Sequence, residues 1–482
     1  MIRYTLLFAV VTFISMYAFR DWFKALCMSL PIIAFLERPD MPRTLMDIAG
    51  LNPFNIMLGC VLIGWFNAKK KENLNWIVDK KTTRLLIFYV GILLISTFRG
   101  LIDPAMMRQV ALYVGKPPPS KVQYIIDFYL NSFKWLAPGY LFCVGANTEA
   151  RVRWAAWAIM ITGLMLSIQV ISKMAPAFIG ADDLATRALR VLDRDLGYHR
   201  VDLAAICGSV SWGFLLMRPL AKSPMQSMMM LAGFVICTLA LIGTGGRAGM
   251  LAWAAGGFLI GLFKWRKLLI MGPVFVLLGI LVIPGLQERI VEGFTEDSHE
   301  TAAAKRGLDT VDSQGRDMFA ITSGRVVVWP RVIDKISERP ILGHGRHAMQ
   351  RTGITVGLLD VLGTMGFGHP HNAYLEMFLD LGMIGAIPIL YFFALFGWRS
   401  LKFFIRDTDS LAGAVAGLAT GFLVVQAVAA MGSQSFYPKQ GSVLLWSTIG
   451  LALRYVMTEQ EEQKLDQAKN KKRLPRTARV RT

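Results

Sequence analysis

The chain has 482 residues, 54% of them hydrophobic, a mean hydropathy of +0.45 and a formal net charge of +19. Apolar runs of about 15–22 residues recur from end to end, which excludes a soluble enzyme and also a β-barrel, because only helices satisfy their own backbone over such lengths in lipid. The positive charge does not point to nucleic acid, since it concentrates in short loops and the tail and covers no soluble face.

In chain order, the apolar segments lie at about 2–19, 22–37, 50–68, 84–99, 124–146, 153–172, 201–218, 227–244, 247–264, 267–285, 372–398, 410–432 and 441–457. The first run, Ile2 to Phe19, has no small-residue cleavage site and reads as a retained anchor. Only Arg20 and Asp21 separate it from the second, so the expectation is twelve or thirteen crossings. Twelve place both termini inside, and thirteen place the amino terminus outside. Lys69, Lys70, Lys71, Lys80, Lys81 and Arg84 mark an inside loop. The same rule places 147–152, 218–225, 264–267 and 399–409 inside, and 100–123, 173–200, 286–371 and 433–440 outside. The outside loop 100–123 carries Pro117, Pro118 and Pro119, a stiff connector. In 173–200, the stretch ATRALRVLDRDLGYHR is expected to form a short surface helix. The loop 286–371 holds ten Lys and Arg against eleven acids and is nearly neutral.

The expected organisation is therefore all-α. A transmembrane bundle spans 1–285, a large outer loop 286–371, further spans 372–457, and a basic inner tail 458–482 that lies on anionic headgroups. Within the large loop, 296–318 is polar. The segment 322–340 places Val328, Val332 and Ile336 on one face of an amphipathic helix. Cys27, Cys60, Cys143, Cys207 and Cys237 all lie in apolar runs, with no metal-ligand spacing, and read as core residues.

Several polar residues stand where lipid makes them costly. Arg247, in GTGGRAGM, falls between two apolar helices on the outer side, where the positive-inside rule gives it no reason to be. A helix starting near Gly246 would aim free N–H groups at an anion beside this guanidinium. Arg325 follows Ser323, a candidate helix cap. HPHNAYLEMFLDLGMIG, from His369 to Gly385, sets imidazoles where a polar loop meets an apolar helix, with Asn372 as candidate cap. Glu376 and Asp380 in its first turns are placed to orient an imidazole or to favour the helix dipole. Gly382 and Gly385 read as a close-packing pair. His344 and His347 in GHGRH add further imidazoles, but no carboxylate pair or cysteine completes a metal set. No phosphate loop, nucleophile elbow or HExxH pair is present.

The order GTGGRAGM, then TSGRVVVWPRVIDKISERPILGHG, then HPHNAYLEMFLDLGMIG resembles the O-antigen ligase and O-antigen polymerase superfamily of bacterial envelope glycosylation, over roughly residues 240 to 395. The resemblance implies a polytopic GT-C-type glycosyltransferase in the bacterial inner membrane, with its active site facing the periplasm. It implies transfer of a glycan from an undecaprenyl-diphosphate carrier to an acceptor hydroxyl on lipid A core, a glycan chain or a protein, with inversion and without metal, ATP or another cofactor. Residue by residue, it implies that Arg247 and Arg325 hold the carrier diphosphate and that His371 activates the acceptor. His344, His369, Asn372 and Glu376 stand as second candidates. A polysaccharide polymerase of the same superfamily, or a non-enzymatic transporter of lipid-linked glycans, are the alternatives.

Overall fold

The computed structural model describes residues 2–42, 45, 50–102, 109–112, 115, 120–178, 180, 184–282, 286–287, 318–362, 367–407 and 410–454. The polar segment up to 317, the triproline and the basic tail lie outside these residues. The described chain is helical, and six of its helices are long and apolar enough to cross a membrane. They are Lys80–Ile102, Glu149–Phe178, Arg200–Leu220, Pro224–Gly243, Ala373–Arg406 and Leu411–Ala429. Shorter apolar helices cover Tyr4–Tyr17, Trp22–Leu36, Pro53–Ala68 and Arg247–Phe263. Lys267–Val282 and 443–454 are also helical. The predicted segment at 124–146 is a composite: Lys121–Ile125 and Ala137–Gly145 are α-helical, with a π turn at Ile126–Leu130 between them.

Charge separates the two ends of this bundle. At one end Arg151 pairs with Glu72 at 2.7 Å, Arg399 pairs with Asp79 at 2.8 Å, and Arg454 donates to the Asn75 carbonyl. At the other end Ala373 N–H donates to Ala430 O, and Arg99 donates to the carbonyls of Leu342 and Gly343. The described parts of the loops assigned to opposite sides from charge alone thus collect at opposite ends of the bundle. Tyr4 donates to the carbonyl of Asp40, beyond the end of the second helix, while Arg151 lies over the ring of Trp22 at that helix's start. The first two helices are therefore antiparallel.

The Leu411–Ala429 helix is the central post. Its run of Ala and Gly lets neighbours approach closely, and 83% of its apolar window is buried. The helix starting at Arg247 packs just as tightly, because a Cβ on Gly249 would fall 2.2 Å from the Ala204 Cβ.

The described part of the large loop forms its own small layer. The Arg325–Glu338 helix buries Val328 and Val332 against Leu358, Leu362 and Leu379, with Ile336 half-buried beside them. This is the greasy face read from the sequence.

The pair Gly382/Gly385 requires a correction. Gly382 is not a packing residue inside a continuous helix. Its φ of +64° breaks Ala373–Arg406 into two parts, and the loop 340–345 docks into the gap. There Met383 N–H donates to Pro340 O, His344 N–H to Leu379 O and Gly345 N–H to Asp380 O. A side chain at 382 would strike the Ile341 carbonyl, so glycine is required twice over, by conformation and by space. Only Gly385 packs helix on helix, against Ile92.

Candidate active site

Four helix ends meet at the pole opposite the basic end, and each brings a polar residue. The helix Arg247–Phe263 starts at Gly246, which offers no side-chain cap. Its first residue extends a guanidinium to the carbonyl of Ile321, with Nη2 at 3.0 Å, and to Ser323 Oγ at 3.5 Å. Arg325 opens the next helix. The expected cap is corrected here: Ser323 does not cap it but turns toward Arg247. Gly324, at φ +82°, is the boundary residue, and Thr322 Oγ1 accepts the N–H of Val326. Arg325 lies within electrostatic reach of Arg247, and its guanidinium passes close to Gly432, where a Cβ would lie 3.0 Å from Ala248 Cβ and 3.2 Å from Arg325 Nη2.

A third arginine joins them, one the sequence reading did not select. Arg200 begins the Arg200–Met217 helix and lies within electrostatic reach of both Arg247 and Arg325. The sequence signal for it was the same as for Arg247, a cation at the outer end of an apolar helix. It was hidden because the charged run before it reads as one surface helix. That helix runs over Leu184–Val191, continues as a π turn over Leu192–Leu196, and ends at Gly197, whose φ of +74° turns the chain into the bundle. Buried N–H groups on Arg200 (Nη1) and Arg325 (Nε) have no hydrogen-bond partner among the described residues. Buried donors are rarely left unmade, so these mark a place for acceptor oxygens. Burial, and then the neighbouring Arg247, lower the Arg325 pKa.

His371 sits beside this cluster. Its ring lies 4.0 Å from that of His369 and 5.4 Å from that of His199. Its backbone is left-handed, at φ +50°, a conformation costly for a residue with a Cβ. Several contacts hold it there. His371 N–H donates to His369 Nδ1 at 3.2 Å, and Trp329 Nε1 donates to Pro370 O at 3.0 Å. Asn372 caps the following helix as expected, accepting from Tyr374 and Leu375 N–H. Burial, then His199, Arg325, Lys439 and Arg200, lowers the His371 pKa to about 3. The imidazole is therefore neutral near pH 7, the form that accepts a proton. Lys439 is itself held by Asp202, at 2.8 Å. His369 is likewise held neutral, mainly by burial. Among the described residues, no three His, Cys, Asp or Glu side chains are grouped so as to hold a metal ion.

The remaining candidates are placed elsewhere. Glu376 does not orient His371. It faces Arg346, whose Nη1 lies 2.6 Å from Glu376 and 2.8 Å from Asp380, and Gln434 donates to it as well. Tyr437 donates to Asp380 and lies under the Arg346 guanidinium, 3.6 Å from its ring centroid. This buried knot ties the GHG loop to the short half-helix that follows Asn372. His344 stands outside the arginine cluster, with Nε2 2.9 Å from the carbonyl of Lys335, so it fastens the loop to the helix that Arg325 opens.

A pole with three guanidiniums, orphaned N–H donors and a neutral imidazole can bind a multiply charged anion and take a proton beside it. Residues 232–392, about a third of the chain, match the family model described as O-antigen ligase. No curated protein matches the chain.

Proposed function

We propose that this membrane protein, whose residues 232–392 match the family model described as O-antigen ligase, transfers a glycan from an undecaprenyl-diphosphate carrier to an acceptor hydroxyl at the periplasmic face of the inner membrane. The observation that carries this reading is the meeting of Arg200, Arg247 and Arg325 with His371 at the pole opposite the basic loops. By the positive-inside rule the basic pole is cytoplasmic, which turns the site outward.

In this reading the guanidiniums bind the diphosphate, the only strongly charged part of such a donor. His371 takes the proton from the acceptor hydroxyl as its oxygen attacks the anomeric carbon. The bond from that carbon to the diphosphate oxygen breaks, and the electron pair leaves on the lipid diphosphate. Attack opposite the leaving group inverts the anomeric centre. The arginines stabilise the charge that grows on the leaving oxygen. Bound diphosphate also cancels the positive field that depresses the imidazole pKa, so the base strengthens when substrate is present. Energy comes from the phosphate ester itself.

The test is reconstitution of the purified full chain in liposomes with the lipid-linked donor and a candidate acceptor. The expected result is glycosylated acceptor in step with released lipid diphosphate. Movement of donor across the bilayer with no product would show a transporter and overturn the reading.

A further inference from the structure

At the basic end a cleft of about 680 Å³ opens between three helices. Its apolar wall comes from Leu86, Ile87, Val90 and Leu94 of the Lys80–Ile102 helix, facing residues 136–143 and the 443–454 helix. Gly91 lies in this wall, and a Cβ there would meet nothing within 4 Å. Glycine in mid-helix is unfavourable relative to alanine, and here it widens the cleft. The lining from Thr83 to Leu94 covers twelve residues of helix, and the eleven rises between them span about 16 Å at 1.5 Å each. That is about one leaflet of a hydrocarbon core roughly 30 Å thick. The cleft therefore fits an acyl chain of the leaflet at the basic end.

The mouth identifies the headgroup. Lys80 stands one turn below Thr83 on the same helical stripe, and Arg84 one turn below Ile87 and two below Gly91; both are exposed. Arg454 follows Leu453 of the lining and bonds the carbonyl of Asn75, beside Trp76. Trp65, Trp76 and Tyr140 form an aromatic cluster at this level, with Lys69 over the Trp65 ring at 5.4 Å. The nearby acids are engaged, Asp79 with Arg399 and Glu72 with Arg151. The rim is thus net positive, with aromatic side chains at the depth where membrane interfaces favour them. We infer that this cleft is a binding site for an anionic phospholipid, its headgroup held by Lys80 and Arg84 and one acyl chain lying in the groove past Gly91. The site occupies the leaflet opposite the arginine cluster and does not depend on the reaction proposed there.

The test uses the purified full chain equilibrated with equal amounts of phosphatidylglycerol and phosphatidylethanolamine, with bound lipid counted by native mass spectrometry. Wild type should retain phosphatidylglycerol in preference. A juxtamembrane cation contributes about 1 kcal/mol toward an anionic surface, about fivefold in binding, so Lys80→Gln with Arg84→Gln should remove most of the preference. Gly91→Leu should reduce retention of both lipids; leucine suits a helix better than glycine, and the space is open, so folding is preserved. Equal retention of the two lipids by wild type, an unchanged preference in the double variant, or undiminished retention in Gly91→Leu would overturn the inference.

Discussion

Replacing Arg346 by methionine probes the buried knot that supports the site. Arg346 is 13% exposed, Glu376 4% and Asp380 1%, so removing the cation strands two carboxylates away from water. Breaking a buried ion pair from one side costs about 3–5 kcal/mol, and the stack on Tyr437 adds a contact worth about 2 kcal/mol where desolvated. These overlap, and one carboxylate can escape by taking a proton, so the expected loss is about 3–5 kcal/mol. Against a total stability of about 5–15 kcal/mol this is a large share. The same reasoning makes an unusual second forecast. Arg346→Met combined with Glu376→Gln and Asp380→Asn should be more stable than Arg346→Met alone, because no uncompensated charge remains buried. Unfolding midpoints of the purified variants in mixed micelles measure both. A single variant as stable as wild type, or a triple variant no better than the single, would refute the electrostatic account of the knot.

Other consequences can be measured in the same preparations. The acid limb of kcat/KM, which reports the free enzyme, should lie well below pH 6.5, because burial and the groups around it lower the His371 pKa. The limb of kcat should lie at higher pH, since bound diphosphate offsets the arginines; a kcat/KM limb at or above 6.5 would count against His371 as the base. Gly382→Ala should lose at least about 2 kcal/mol, from left-handed backbone and a clash with Ile341 O, whereas Gly91→Ala should gain about 0.5–1 kcal/mol. Equal thermal midpoints for these two would contradict the helix-break geometry. Asn372→Ala removes an acceptor for two N–H groups and should cost about 1 kcal/mol in unfolding experiments.

Much of this was legible in the sequence, for identifiable reasons. The helical spans follow from hydropathy, and the separation of the two poles follows from lysine and arginine placement, both of which act locally. The Asn372 cap and the greasy face of Val328 and Val332 also follow from short-range spacing. What was missed depends on the chain folding back on itself. The break at Gly382 exists because a loop forty residues earlier docks there, and a glycine in an apolar run looks the same whether it packs or breaks. Glu376 appeared free to serve His371 until Arg346, thirty residues upstream, was seen to hold it. Arg200 was masked by the charged residues before it, which belong to a helix that ends sooner than their pattern suggests.

The most direct test of the central claim separates binding from chemistry at the arginine pole. Affinity for the lipid-diphosphate-linked glycan and the rate of transfer are measured together for Arg200→Gln, Arg247→Gln, Arg325→Gln and His371→Gln, at matched folding. The arginine variants should lose donor affinity and fall by about 10²–10³ in rate, the usual effect of removing one charge-stabilising contact. His371→Gln should bind donor as wild type does, yet fail to transfer it. Undiminished donor binding in all three arginine variants, or wild-type transfer by His371→Gln, would contradict the account.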